Sequence, residues 1–225
     1  MTYSVSAWSY AHAGIDLFTA IEHAKKAGFD AIELLDLPCG DEDEAEFALR
    51  VREVCAKAGL PISSQCIGAD FLNGSGGDTA AEIARVKTKV DIAALLGVTL
   101  LRHDATIGQE NGKTDASFEA VLPALAAACR EVTEYAAAKG IRTMVENHGY
   151  FCQGSARVKA LIERVDHPNF GALIDMGNFL CTDETPLEAV TAMLPYAFHV
   201  HCKDFHVLPA DSADPGAGWF RSLGG

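Results

Sequence analysis

Three residues with metal-binding side chains each end a short apolar segment of the sequence. They are Glu146 in segment 141–146, Asp175 in segment 170–175 and His201 in segment 196–201. Two carboxylates and one imidazole form a mixed set of hard and borderline ligands. Such a set suits Mn²⁺, Co²⁺, Mg²⁺ or Zn²⁺ with positions left open for substrate oxygens. If the fold brings the three segments side by side, they form a divalent-metal site.

All three segments have the residue alternation of a β-strand, in which successive side chains point to opposite faces. The face that carries the three candidate ligands also holds Arg142, Met144, Gly171, Leu173, Ala197 and His199. The opposite face carries bulky side chains that suit contact with a helix layer, among them Phe170, Ile174, Tyr196, Phe198 and Val200. The alternation therefore predicts that all three candidate ligands point into the protein from one side.

Each candidate ligand alone could be an ordinary polar residue that caps the next helix or faces solvent. Position at the strand end and shared face agree in all three segments, however, and barrel enzymes keep their chemistry at the carboxyl ends of their strands. Neighbouring strands lie about 4.8 Å apart. That spacing lets neighbouring side chains reach one ion with bonds of about 2.0–2.2 Å. The residues alone therefore favour a metal site over three unrelated polar residues.

A recurring unit positions these segments. Four times a helical, Ala-rich stretch ends at a glycine that precedes a short apolar strand, at Gly28, Gly59, Gly97 and Gly140. Glycine just past a helix is a C-cap signal, because it accepts the left-handed conformation that ends the helix. Seven strands are predicted, at residues 3–8, 29–35, 61–66, 98–103, 141–146, 170–175 and 196–201. Helices are predicted between them, near residues 15–27, 43–58, 78–96, 115–139, 155–164 and 185–194.

Strict alternation of strands and helices predicts an α/β fold with a parallel sheet, in one domain that spans residues 1–225. A (β/α)8 TIM barrel is favoured over an open doubly wound sheet, because no strand is followed by a G-x-G-x-x-G string or a P-loop. Only seven strands precede the polar segment 207–225, so the chain is predicted to lack the eighth βα unit. We expect an eighth strand carrying a Glu to follow Gly225 in the intact protein. A natural seven-stranded or open barrel is the alternative.

Composition and charge narrow the classes of function. The sequence is 49% hydrophobic and 22% charged, which is typical of globular proteins. With 18 Lys and Arg against 31 Asp and Glu, its net charge of −13 should repel phosphate backbones, so no nucleic-acid partner is expected. The N-terminus lacks a basic region before an apolar stretch, and no uninterrupted apolar stretch approaches the length of a membrane-spanning helix. No membrane association is therefore expected. The seven cysteines lack C-x-x-C spacing, which predicts reduced thiols in a cytoplasmic protein.

Three strings in the second half of the chain carry a family resemblance. They are Glu146-Asn147-His148-Gly149, Asp175-Met176-Gly177-Asn178 and His199-Val200-His201-Cys202-Lys203-Asp204. In order and spacing they resemble the later motifs of the xylose isomerase-like TIM barrels, the family of sugar phosphate isomerases and epimerases. The resemblance implies that Glu146, Asp175 and His201 bind a divalent metal together with a second Glu from an eighth strand.

The chain departs from the ketose 3-epimerases of that family at three positions. Those enzymes usually carry a His three residues after the Asp ligand, a Glu six residues after the Glu ligand and an Arg six residues after the His ligand. This chain has Asn178, Cys152 and Val207 there. Its His-x-His-x-Lys-Asp string resembles instead the inosose dehydratase and hydroxypyruvate isomerase branches, which share the metal.

Further side chains are candidates for substrate binding at the same rim. His103 ends its own strand and His148 follows the predicted Glu ligand, with a solvent-facing loop histidine as the alternative for each. Lys203 shares a face with His201 and could hold a phosphate, a carboxylate or a developing enolate. A surface lysine paired with Asp204 is the alternative.

Glu33 is the fourth candidate for substrate binding. It stands between Ile32 and Leu34, which should face the helices, so its carboxylate should point into the barrel. Because an unpaired carboxylate there would be costly, Glu33 either forms an ion pair or binds a substrate hydroxyl. His199 shares the inner face but lies deeper than His201, which favours a supporting or packing role over direct ligation.

These predictions lead to a metal-dependent sugar isomerase or epimerase that acts on a small sugar or polyol. The metal would hold the carbonyl and the neighbouring hydroxyl, and Glu146 is the predicted catalytic base for the intervening C–H. A dehydratase of the inosose type on the same metal site and a non-catalytic sugar-binding barrel stay open as alternatives. An apurinic-site endonuclease is disfavoured by the charge of −13 and the small number of rim histidines. A homo-oligomer also stays open.

Overall fold

The computed structural model describes residues 1–107, 117–149, 151–203 and 205. Seven strands alternate with helices along this part of the chain. The strands are β1 (Ser4–Ser6), β2 (Ala31–Leu34), β3 (Ile62–Ile67), β4 (Leu100–His103), β5 (Arg142–Glu146), β6 (Phe170–Asp175) and β7 (Ala197–His201). The helices are α1 (Ala7–His12), α2 (Leu17–Lys26), α3 (Glu44–Ala58), α4 (Thr79–Leu96), α5 (Phe118–Ala137), α6 (Ser155–Val165) and α7 (Pro186–Met193). Short 3₁₀ turns lie at Gly74–Gly77, Asn178–Thr182 and Leu194–Tyr196.

The strands form one parallel sheet in the order β1-β2-β3-β4-β5-β6-β7, with helices on its outer side. This is the order of a TIM barrel, and it confirms the predicted α/β fold class. Within the described part of the chain there is no eighth strand, and β7 does not pair with β1. The segment 207–225 and the predicted eighth strand lie outside the described residues, so the strand that would follow Gly225 stays a prediction.

Local sequence explains where most helices begin and end. Asp16, Asp43, Asp78 and Ser117 cap the first turns of α2, α3, α4 and α5 by accepting hydrogen bonds from backbone N–H groups. The four predicted glycines at helix ends all have positive φ, between 63° at Gly59 and 88° at Gly28. These caps confirm that each unit is a helix, a glycine and a strand.

The first strand is shorter than the sequence predicts. It was expected over residues 3–8, but it ends at Ser6, whose hydroxyl accepts a hydrogen bond from the Trp8 backbone N–H and caps α1. The prediction of strand at residues 7 and 8 was therefore wrong. A serine N-cap turns the chain into a helix there.

The alternation of faces holds in β5 and β6. On the inner side, Met144 and Leu173 form a small cluster with Cys66. On the outer side, Val145 and Ile174 join the large core between sheet and helices. The predicted inward face of these two strands is confirmed.

In β7 the alternation fails at two residues, because Ala197 packs against the outer core and Phe198 against the inner cluster. The pairing with β6 shifts register between Ala172 and Leu173, so that Ala197 and His199 become their successive partners. Phe198 consequently packs on the inner cluster and not on the helix layer, which corrects the expectation from simple alternation. A Cβ on Gly171 would lie 2.6 Å from the Phe198 ring, so only glycine fits beneath this side chain.

None of the described helices is long and apolar enough to cross a membrane. All seven cysteines are free thiols, and burial raises the pKa of several of them, to about 12 for Cys152.

The loop after β3 lies at the carboxyl edge of the sheet and is held by the buried carboxylate of Glu82 in α4. Glu82 accepts hydrogen bonds from the Asp70 backbone N–H at 3.1 Å and the Ser75 hydroxyl at 2.7 Å, and it pairs with Arg85 at 2.7 Å. A Cβ on Gly74 would lie 2.6 Å from this carboxylate. Hydrogen bonds from Arg85, together with those from Ser75 and Asp70, outweigh burial and lower the pKa of Glu82 to about 2.

Replacing the charged acceptor should therefore loosen the loop. At pH 7 we expect Glu82→Gln to lower the free energy of unfolding by about 2 kcal/mol, as is typical for hydrogen bonds to a charged group. Because the folded pKa lies below the ordinary value of 4.5, the stabilisation is complete above pH 4.5 and is lost as the pH falls toward 2. Urea denaturation followed by circular dichroism between pH 7 and pH 3 measures the difference between wild type and variant.

Glu53→Gln is the control, because Glu53 forms only a surface ion pair with Lys57. It should change stability much less than Glu82→Gln at every pH. A Glu82→Gln protein as stable as wild type at pH 7 would contradict this role of Glu82.

Candidate metal centre

Parallel pairing brings the three candidate ligands to one edge of the sheet. Glu146 ends β5, Asp175 ends β6 and His201 ends β7, and Asp175 pairs directly with His201. His201 Nδ1 lies 4.0 Å from Glu146 Oε1 and 4.0 Å from Asp175 Oδ2. One donor atom of each residue lies within 4.8 Å of the other two. The structure thus places the predicted ligands around a common point.

Arg102 in β4 holds the far oxygen of Glu146. Its Nη2 atom lies 2.9 Å from Glu146 Oε2 and 2.7 Å from Asp104 Oδ1, and its Nη1 atom donates to the Ile67 carbonyl at 3.3 Å. Oε1 is thereby left on the side of the common point, where Asn178 Nδ2 donates to it at 3.2 Å.

The backbone holds the far oxygen of Asp175. Oδ1 accepts hydrogen bonds from the N–H groups of Gly177 and Asn178, both at 3.0 Å. The side chain of Asn147 bridges the Asp175 N–H and C=O at 2.8 and 2.9 Å and fixes the strand end itself. Oδ2 faces His201 and also lies 3.3 Å from Lys203 Nζ.

Glu33 in β2 holds the far nitrogen of His201. Its two oxygens lie 2.9 and 3.0 Å from His201 Nε2, and Ser64 Oγ donates to the same carboxylate at 2.9 Å. His199 Nε2 lies 3.3 Å away. Burial alone would raise the pKa of Glu33, but the hydrogen bonds and charges of the two histidines outweigh it and hold this pKa well below its ordinary value.

A carboxylate that stays ionised only accepts hydrogen bonds, so His201 Nε2 carries the proton in this contact. The Nδ1 atom on the opposite side of the ring then faces Glu146 and Asp175. Burial lowers the pKa of His201, but the hydrogen bond to Glu33 and the nearby carboxylates raise it above the usual value. A proton and a metal would therefore compete for Nδ1.

These contacts fit a divalent cation. In each of the three residues one polar atom is held by the protein, by Arg102, by backbone N–H groups or by Glu33, and the other faces the common point. Two bonds of about 2.1 Å span the distances from Nδ1 to the carboxylate oxygens. A second set, formed by Glu33, His199 and His201, has the same compactness. It fits less well, because Nε2 of His201 already donates its proton to Glu33.

Lys203 and His148 lie at the rim that the sequence predicts for substrate contacts. Lys203 Nζ donates to Asn178 Oδ1 at 2.5 Å, and its side chain is 42% exposed. His148 is half exposed, with Nδ1 3.3 Å from Asp104 Oδ1. This hydrogen bond outweighs burial and raises the pKa of His148. Asp104 also pairs with Arg102, so His148 connects to Glu146 through two intervening side chains.

His103 lies elsewhere. It is fully buried on the outer face of β4, where its ring packs between Phe71 and Phe170. Its Nδ1 atom contacts the Asp104 carbonyl at 2.9 Å, and burial lowers the pKa of the ring. The structure therefore does not bring His103 together with the candidate ligands, and the inward residue of this strand is Arg102.

The sequence prediction missed Arg102 and the linking role of Asn178. A signal for Arg102 was present, because Leu101 suits the helix layer and so places its neighbour on the inner face. No comparable signal identifies Asn178, which reaches Glu146 from the 3₁₀ turn after β6.

A cavity of about 450 Å³ lies between α1, α2 and the end of β2. Its lining is mostly apolar, with Ile15, Leu17, Phe18 and Leu37 among the contributors. The candidate metal ligands do not line it, and its apolar wall offers few partners for sugar hydroxyls.

Comparison with known proteins extends these observations. The model of the xylose isomerase-like TIM barrel family matches residues 21–222. No curated protein is similar enough in sequence to match.

Several solved structures share the fold. A D-psicose 3-epimerase crystallised in the presence of D-fructose has 18% identity and a TM-score of 0.76, over 99% of this chain and 81% of that one. The probable 3-DHS dehydratase involved in petrobactin synthesis from Bacillus anthracis has 21% identity and a TM-score of 0.76, over 100% of this chain and 81% of that one. A xylose isomerase-like TIM barrel protein from Mycobacterium smegmatis in complex with magnesium has 20% identity and a TM-score of 0.69, over 90% and 74%.

The solved structures agree with the strand order in showing the fold, and the family model spans most of the sequence, including all three candidate ligands. This chain belongs to the xylose isomerase-like TIM barrel family.

Proposed function

We propose that the protein is a divalent-metal-dependent sugar isomerase or epimerase that moves a proton next to a carbonyl group. The observation that carries this proposal is the convergence of Glu146, Asp175 and His201, each with one donor atom held away and one turned toward a common point. The names of similar structures support the substrate class, since D-psicose 3-epimerase acts on a sugar and was crystallised with D-fructose.

The three residues would hold Mn²⁺, Co²⁺, Mg²⁺ or Zn²⁺, and a magnesium complex of one similar structure supports a divalent ion. When bound, the ion polarises the carbonyl of the substrate and so acidifies the adjacent C–H. All other steps fall to side chains of this chain.

Glu146 is the proposed base. Its Oε2 atom is fixed by Arg102, so the carboxylate cannot rotate freely at the end of β5. When Glu146 takes the proton from carbon, the bonding electrons move onto the carbonyl oxygen and form an enediolate. Lys203 lies at the same rim, and its ammonium group can donate a hydrogen bond to that developing negative oxygen.

Where the proton returns decides the reaction. A single base that returns it to the former carbonyl carbon on the same face produces an isomer, provided that the hydroxyl proton moves from the neighbouring oxygen to the former carbonyl oxygen. Inversion at one carbon needs a second acid on the opposite face. His148 and Lys203, both partly exposed at the rim, are the proposed substrate contacts.

A dehydratase is the second candidate, because a probable dehydratase matches the fold over the full length of this chain. The same base would remove the same proton, and the electrons would then expel the hydroxyl on the next carbon, which would leave as water with the proton that Glu146 had taken. Product analysis by NMR after incubation with ketoses and ketocyclitols separates an isomer from an unsaturated product.

We also propose a cytoplasmic location, which the seven free thiols favour.

Removing the base should stop proton transfer without unfolding the protein. Glu146 is at a strand end and 8% exposed, and Gln keeps its shape and one acceptor oxygen for Arg102, while its NH₂ group loses the hydrogen bond from Asn178. We expect Glu146→Gln to lower deuterium exchange from D₂O into a bound ketose at least 10³-fold, as general-base removal typically does. Proton NMR of the sugar measures the exchange, and circular dichroism checks the fold.

The exposed Glu131, which pairs with Lys87, provides the control. Glu131→Gln should exchange deuterium at the wild-type rate. Wild-type exchange in Glu146→Gln as well would remove Glu146 from the mechanism.

Metal binding should depend on the charge of Asp175 and on the ring of His201. Asn at position 175 can still accept the hydrogen bonds from Gly177 and Asn178, so Asp175→Asn removes the charge with little else. We expect Asp175→Asn and His201→Ala each to weaken Mn²⁺ binding at least tenfold, which isothermal titration calorimetry measures.

Asp91→Asn is the matched control, because Asp91 pairs with Lys139 on the surface. It should bind Mn²⁺ as the wild type does. Unchanged affinity in both Asp175→Asn and His201→Ala would place the metal elsewhere.

A further inference from the structure

Glu33 makes a contact that the proposed chemistry does not use. It is 2% exposed, lies in β2, and reaches His201 in β7 across the inner face of the barrel, 168 positions away in sequence. The sequence left two roles open for it, an ion pair inside the barrel and a contact with a substrate hydroxyl.

The hydrogen bonds of Glu33 leave little capacity for a substrate. A carboxylate offers about four lone-pair positions. His201 Nε2 lies near both oxygens, Ser64 Oγ donates to Oε2, and His199 Nε2 lies 3.3 Å from the same atom. These contacts fill Oε2 and leave one acceptor position on Oε1, in a side chain that is only 2% exposed.

The same contacts fix the state of the His201 ring. With Nε2–H directed at Glu33, Nδ1 has no hydrogen in the neutral ring, and its lone pair points between Glu146 and Asp175. A histidine without such a partner can exchange tautomers or rotate its ring, and either change removes the lone pair from that point.

We propose that Glu33 is a positioning residue that acts through His201, presenting its Nδ1 atom to the divalent metal. This inference rests on the metal site of the proposed function and assigns that site a supporting carboxylate from the opposite side of the barrel. Ser64 and His199 hold the carboxylate in place.

Metal titration provides the first test. In Glu33→Gln, the side-chain amide can accept a hydrogen bond from His201 Nε2–H. After the amide flips, it can instead donate a hydrogen bond to Nε2, which favours the tautomer with the proton on Nδ1. We expect Glu33→Gln to raise the Kd for Mn²⁺ about tenfold, the lower end of the effect seen for residues that orient metal ligands. Glu82→Gln is the matched control, since Glu82 is equally buried at 2% but belongs to the β3–α4 loop. It should bind Mn²⁺ with wild-type affinity even though it is less stable.

A double-mutant cycle separates action through His201 from a general effect of charge. In a His201→Ala background, Mn²⁺ binding is measured by electron paramagnetic resonance at millimolar metal. There, Glu33→Gln should have no further effect on Kd. The same fold-change in both backgrounds would overturn the proposal, because Glu33 would then act directly on the metal or through its charge alone.

The tautomer of His201 gives a readout that does not involve turnover. In ¹⁵N NMR spectra of the metal-free protein at pH 8.5, His201 should show a protonated Nε2 and an unprotonated Nδ1, and Glu33→Gln should mix the two tautomers.

An unchanged tautomer together with unchanged Kd in Glu33→Gln would refute the inference. If wild type itself binds no Mn²⁺, the proposed function fails; if wild type binds it and Glu33→Gln binds equally, only this inference fails.

Discussion

Parallel pairing of β5, β6 and β7 places the last side chains of three neighbouring strands at one edge of the sheet, and the site depends on this constraint. The cost is the burial of carboxylates, since Glu146, Asp175 and Glu33 are 8%, 2% and 2% exposed. Burying unpaired charge is strongly unfavourable. The fold offsets it with Arg102, with backbone N–H groups and with the two histidines of β7.

These compensating groups share one arrangement. Each approaches its partner from the side away from the common point, so the charges are stabilised without blocking the atoms that face one another. Arg102 binds one oxygen of Glu146, the backbone after β6 binds one oxygen of Asp175, and Glu33 binds one nitrogen of His201. A preorganised centre of this kind would need little rearrangement to bind the proposed cation and substrate.

Sequence reasoning predicts the parts of this arrangement that follow from strand periodicity. The period of two residues places Glu146 and Asp175 on the inner face, because the β5–β6 pairing is regular at these positions. Glu33 also faces inward, although the β2–β3 pairing shifts register between Ile32 and Glu33. The period fails at Ala197 and Phe198, where the β6–β7 pairing shifts register and no feature of the local sequence announces the shift.

The partners of the ligands are harder to predict, because they depend on geometry between distant strands. Nothing in the sequence of β2 says that Glu33 meets β7, and the alternation in β4 indicates that Arg102 points inward without saying that it binds Glu146. Periodicity therefore predicts which atoms enter the site, whereas packing decides which atoms hold them.

A crystal structure of the protein soaked with Mn²⁺, with anomalous diffraction recorded at the manganese edge, tests the central claim most directly. The account predicts one anomalous peak bounded by Glu146 Oε1, Asp175 Oδ2 and His201 Nδ1, with Glu33 still bound to His201 Nε2. A peak bounded by Glu33 and His199, or a peak away from all of these residues, would contradict it.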